Sequence, residues 1–87
     1  METYDRDNEY DTLMKMFRFV RDYHPSAYSL PRVCRLLVEH MNNGGYDAIL
    51  LDDNARDYRF VQVDGRKYKI IRNHGWSHYE VRMTATA

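Results

Sequence analysis

The chain has 87 residues, with one cysteine, two prolines, four glycines and a formal net charge of zero. A single thiol, Cys34, excludes an intramolecular disulfide as the device that holds so small a fold together. No apolar run approaches the roughly 20 residues that a helix needs to span a bilayer. Met1 is followed by Glu2 and Asp5 rather than by a basic and then apolar signal region, so the expectation is a cytoplasmic protein. The absence of net positive charge argues against a general nucleic-acid binder driven by counterion release, although a zero total can hide local segregation.

What the sequence does have is a strong hairpin. Asp64-Gly65 stands between alternating runs, and a type I′ turn takes this dipeptide because both central residues need positive φ. A two-residue loop sets Val63 opposite Arg66, Val61 opposite Tyr68 and Arg59 opposite Ile70. Val61, Val63, Tyr68 and Ile70 then share one face, with Phe60, Gln62, Lys67 and Lys69 on the other. A turn at Asn73-His74-Gly75-Trp76 leads to a further strand over 77–83. There Tyr79, Val81 and Met83 extend the apolar face, while His78, Glu80 and Arg82 extend the polar one.

Helices precede this sheet. Asp7 or Asn8 offers an N-cap, and Tyr10, Leu13, Met14, Phe17, Val20 and Arg21 recur at helical spacing, which predicts a first helix over about 8–23. Met16, Phe19 and Tyr23 widen its apolar sector, so it is either buried on two sides or offers a surface to a partner. His24-Pro25 ends it. Ser29 caps a second helix with Pro31 in its first turn. Leu30, Val33, Cys34, Leu37, Val38 and Met41 make the best amphipathic stripe in the chain, and Gly44-Gly45 stops it. Residues 46–51 fit either one helical turn or a short buried strand, and length favours the strand. The fold expected is α+β: one domain over 1–87, with residues 1–7 frayed and two N-terminal helices on a three- or four-stranded antiparallel sheet. Its core is expected to hold Leu13, Leu30, Val33, Leu37, Val38, Met41, Val61, Val63, Tyr68, Ile70 and Val81.

Charge alternates by segment: minus four over 1–12, plus three over 13–40, minus three over 41–57 and plus four over 58–87. Within one fold such segments complement each other. The motifs of catalysis and metal binding are missing. His74 and His78 are four apart in a turn and a strand rather than on one helix face, and Cys34 is the sole thiol, so no zinc site is expected. Ser77 and His78 would point to opposite faces of a strand and cannot act as nucleophile and base. Asp52-Asp53 with Asp47 and Asp57 reads as a solvated loop rather than a Mg²⁺ site. Gly44-Gly45 lacks the surroundings of a phosphate-binding loop. No cofactor, no metal and no catalytic set follow from the residues.

Gly75-Trp76-Ser77-His78, between two strands, resembles the Gly-Ser-His turn of the HicA-type mRNA interferase toxins, whose small fold is dsRBD-like. That resemblance implies a small His-dependent endoribonuclease in which His78 is the residue carried over. It covers four residues, has an inserted tryptophan, and departs from that family's order in placing two helices before the sheet.

The remaining signal is the polar sheet face with Phe60, Lys67, Lys69, His78 and Arg82, Tyr58 at its edge and Trp76 in the adjacent turn. Aromatics interleaved with bases on an open antiparallel sheet can stack nucleobases and hold phosphates, and aromatics and arginine are equally the anchors of protein interfaces. The expectation ranks first a non-enzymatic module that docks on a protein partner. It would be an accessory, regulatory or inhibitory protein of the kind phage and mobile-element genomes are rich in. RNA or single-stranded nucleic-acid binding through Phe60, Lys67, Lys69, Trp76, His78 and Arg82 ranks second, the endoribonuclease third; homodimerisation is left open.

Overall fold

Asp64 and Gly65 adopt φ of 51° and 83°, the paired positive values that a type I′ turn needs. The computed structural model describes residues 3–51, 55–73, 75 and 77–84, with side chains from residue 10 onward. The elements are α1 (Thr3–Val20), α2 (Leu30–Asn43), β1 (Ala48–Leu50), β2 (Tyr58–Val63), β3 (Arg66–Arg72) and β4 (Tyr79–Met83). The strands form one antiparallel sheet in the order β1-β2-β3-β4. The register around the turn pairs Val63 with Arg66, Val61 with Tyr68 and Arg59 with Ile70, as the hairpin chemistry requires.

Both helices lie on one side of the sheet, α2 over β1 and β2, α1 over β4. The helix α2 is held at both ends by its own sequence. Ser29 Oγ accepts from the Arg32 amide and Pro31 occupies the first turn. At the other end Tyr46 N donates to Met41 O and Gly45 N to Asn42 O; with Gly45 at φ of 95° this is a Schellman motif. The residue in the left-handed conformation is Gly45 rather than Gly44, whose φ is −87°. Leu30, Val33, Cys34, Leu37 and Met41 are buried along one stripe of α2 against Val61, Val63, Tyr68, Ile70, Tyr79 and Val81. Each large side chain so buried contributes about 1.5 to 3 kcal/mol of transfer free energy.

The helix α1 departs from expectation. It starts at Thr3, before the expected start at Asn8, and ends at Val20, so Asp7 and Asn8 are helical rather than capping. Hydrophobic periodicity has no signal where a helix continues through polar residues. Beyond Val20 the backbone tightens, Asp22 N donating to Phe19 O and Tyr23 N to Val20 O, before Pro25 forbids continuation. The buried stripe of α1 is Thr12, Met16 and Val20, while Leu13 is only partly buried at the margin, as is Val38 on α2. Residues 46–51 contain a strand, β1, antiparallel to β2 with Ala48 opposite Val63. The last strand begins at Tyr79 rather than Ser77, and Met83, expected on the apolar face, is 45% exposed.

Two polar contacts tie the layers together. Asn42 on α2 donates from Nδ2 to Ala48 O at 2.9 Å and accepts from Ala48 N at 2.8 Å, so a side-chain amide stands in for a further strand at the edge of β1. The buried Tyr79 hydroxyl donates to Tyr28 O at 2.6 Å and fastens β4 to the connection between the helices.

Candidate binding surface on the open sheet face

Strand alternation puts Tyr58, Phe60 and Gln62 of β2 on the face away from the helices, with Lys67, Lys69 and Ile71 of β3 and Glu80 and Arg82 of β4. The register sets Phe60 beside Lys69 and Lys69 beside Arg82. Neither helix covers this surface. Its centre is aromatic and cationic at once. Lys67 Nζ lies 4.4 Å from the Phe60 ring centroid, and Lys69 Nζ lies 4.3 Å from that of Tyr58 and 5.9 Å from that of Phe60. The two rings meet edge to face at 5.6 Å. Each ammonium therefore rests on the electron-rich face of a ring, an arrangement worth about 0.5 to 1 kcal/mol at an exposed site. It also draws two long side chains towards the rings.

Arg82 Nε donates to Glu80 Oε2 at 2.8 Å. The pair is exposed on the Arg82 side and largely covered on the Glu80 side, and Glu80 Oε1 is buried without a hydrogen-bond partner. Lys67, Lys69 and Arg82 against the single acid Glu80 leave the described part of this face positive. Ile49 of β1 lies opposite Gln62 on the same face and is 47% exposed. The sequence could not add it to the surface while 46–51 was ambiguous between helix and strand.

The structure brings together Phe60, Lys67, Lys69 and Arg82, with Tyr58. It does not bring His78 to them. Residue 78 precedes the first residue of β4, so strand alternation does not govern it, and its ring packs edge-on against Phe17 of α1 at 5.7 Å. Its Nδ1 sits 3.1 Å from Tyr79 O. Trp76 and His74 lie outside the described residues, as do Asp52 and Asp53 of the acidic loop. Among the described residues no group of three or more His, Cys, Asp and Glu side chains converges as metal ligands.

A second concave feature, unforeseen in the sequence, is a cleft of about 470 Å³ between α1 and α2 lined by Lys15, Arg18, Phe19, His40, Met41 and Tyr46. Phe19 stacks on His40 at 4.3 Å and Lys15 Nζ lies 5.3 Å from the Tyr46 ring. Cys34 is remote from both surfaces in the sense that matters chemically: it is fully buried, and desolvation pushes its thiol from 9.0 to about 12, against a weaker opposite pull from Arg59. A thiol held neutral this firmly is not a nucleophile. Comparisons with protein-family models, curated proteins and solved structures found no match for this chain. Among the described residues no helix is long and apolar enough to cross a membrane.

Proposed function

We propose that the chain is a non-enzymatic binding module that docks its open sheet face on an acidic protein surface. The observation that carries this reading is the placement of Lys67 and Lys69 over Phe60 and Tyr58. The ammonium groups are held where they can meet carboxylates, and the rings beneath them supply apolar area to be desolvated at the centre of an interface. A nucleobase that stacks on these rings, by contrast, competes with the chain's own lysines. The part of the surface contributed by Ile49 and Ile71 suits the mixed apolar and polar character of a protein interface. The reading is non-enzymatic because the ring of His78 packs on Phe17 of α1, and no set of nucleophile, base and oxyanion donors can be assembled around it from the sequence.

Single-stranded nucleic acid is the second reading, supported by one specific observation. The aromatics sit on the inner strand β2, beside cations on β3, while Asp11 on α1 lines a depression with Val63 and Tyr68 on the other face of the sheet.

Capture from lysate with the wild-type chain and with Phe60→Ala and Lys67→Ala variants tests the proposal. A protein recovered in stoichiometric yield by the wild type and lost by both variants supports it. RNA recovered without such a protein, with affinity falling as salt rises by a log–log slope that shrinks about 0.7 per lysine removed, replaces it with the second reading.

A further inference from the structure

The two edges of the sheet are treated differently. At β1 the Asn42 amide occupies the outward N–H and C=O of Ala48, so that edge is short and blocked. At β4, among the described residues, no strand pairs with the outer side. Thr84 N donates to Lys67 O, which sets the alternation: Glu80 and Arg82 turn their backbone groups towards β3, while Val81 and Met83 turn theirs outward. Unpaired groups of this kind are a template for another strand.

The helix beside this edge is apolar on the same side. Phe19 and Lys15 of α1 face α2 and the segment after it, where they meet His40 and Tyr46 respectively. Tyr10, Leu13, Met14 and Phe17, at i, i+3, i+4 and i+7, lie on the opposite flank, and the contact of Phe17 with His78 places that flank beside β4. Tyr10 is 57% exposed, and Leu13, Met14 and Phe17 are only half-buried. Phe17 lies near the start of β4, while Asp11 and Thr12 line a depression with Val63, Asp64 and Arg66 at the other end of the sheet. So α1 runs antiparallel to β4.

We propose that the chain forms a two-fold homodimer in which β4 pairs antiparallel with β4 of a second copy about Val81. The two sheets become one, and the apolar flanks of the two α1 helices pack on each other antiparallel. The edge is self-complementary in this register. Val81 meets Val81 as a hydrogen-bonded pair through the outward backbone groups. Glu80 of each copy then lies directly opposite Arg82 of the other, in the closely spaced non-hydrogen-bonded position where side chains interact most. The 62% exposure of Arg82 leaves its guanidinium accessible to the Glu80 carboxylate of the second copy. The interface is isologous, so each favourable pair occurs twice. The inference does not depend on the nature of the macromolecule bound at the open face, although it would set two such faces side by side.

Sedimentation equilibrium over a range of protein concentrations tests it, with far-UV circular dichroism to check that each variant is folded. The wild type is expected to be dimeric. Arg82→Glu makes both opposed positions acidic and Glu80→Arg makes both basic, so each variant alone should show a dimer dissociation constant raised on the order of tenfold or more. Mixing the two variants should restore association as a heterodimer, because every opposed pair is then acid against base. Tyr10→Glu, which leaves β4 untouched, should also weaken the dimer. A wild type that stays monomeric at every attainable concentration overturns the proposal. So does a dimer that survives all three substitutions, or two weakened variants that fail to associate when mixed.

Discussion

Replacing Asn42 by alanine isolates the contact that joins the helical layer to the edge of the sheet. Asn42 sits in the last turn of α2 and holds Ala48 through two hydrogen bonds of 2.9 and 2.8 Å. Ala48 itself is only 4% exposed, so water cannot fully replace the amide. Two hydrogen bonds at about 0.5 to 1.5 kcal/mol each give a loss of about 1 to 3 kcal/mol. A domain of this size has about 4 to 13 kcal/mol in total. Near the midpoint a loss of 2 kcal/mol corresponds to a fall in Tm of roughly 8 to 16 °C. The companion is Asn42→Asp, which keeps an acceptor for the Ala48 N–H but sets a carboxylate oxygen against the Ala48 carbonyl in the last turn of α2; its cost should match or exceed that of alanine. Urea denaturation followed by circular dichroism gives the free energies, and amide hydrogen exchange at Ala48 gives the local effect. A loss below about half a kilocalorie for Asn42→Ala, with exchange at Ala48 unchanged, would refute the idea that this amide closes the β1 edge.

Other predictions follow from the same structure. Leu37→Ala removes a side chain that is fully buried against the sheet and should cost about 2 to 5 kcal/mol in denaturant titration. Tyr79→Phe deletes the donor to Tyr28 O and should cost about 1 to 3 kcal/mol through the unsatisfied carbonyl, with melting curves as the readout. Gly65→Ala meets nothing within 4 Å and has a φ of 83°, so any loss, expected at about 1 to 2 kcal/mol, is purely one of backbone conformation. Burial raises the Cys34 thiol to about 12 and also raises the Tyr79 hydroxyl. The unfolded chain therefore releases these protons at lower pH than the folded one, and stability should be flat below the ordinary thiol value and fall as pH rises from about 9 towards 12. Cys34→Ala should remove part of that fall.

The sheet was legible because its signals are local. Asp64-Gly65 dictates the turn, the turn dictates the register, and the register dictates which side chains share a face; the pairings of Val61, Val63 and Arg59 follow without tertiary information. The stripe on α2 was equally readable, since a capped helix with one apolar face has one way to pack. The helix α1 was not. Of the periodic set Tyr10, Leu13, Met14, Phe17 and Val20 only Val20 is buried, and the structure buries it with Thr12 and Met16 on the neighbouring face. Periodicity finds apolar faces but cannot rank two of them on one helix. The angle at which α1 meets β4 decides that, and it depends on contacts such as Phe17 with His78 that no local pattern encodes.

The same limit explains the candidate surface. Phe60, Lys67, Lys69 and Arg82 were placed together because they lie within regular strands, where alternation holds. His78 escapes that alternation because it stands one residue outside the strand, where its ring turns towards α1. What the sequence could not supply was the state of the face. Phe60 and Tyr58 read as bare stacking platforms, whereas in the structure they lie under Lys67 and Lys69. That difference changes the chemistry offered to a partner. A bare ring rewards any flat π-system; a ring under an ammonium rewards an anion that can meet the cation without displacing it. A partner carboxylate can do this at the level of the lysine head groups, and the apolar contacts then form around it. It follows that Lys67→Gln, which keeps a hydrogen-bond donor on a side chain one atom shorter but removes the charge, should uncover Phe60 and shift the surface away from acidic ligands. A labelled acidic peptide that binds the wild type should lose affinity for this variant, and equal binding to both would show that the ammonium over Phe60 plays no part in recognition.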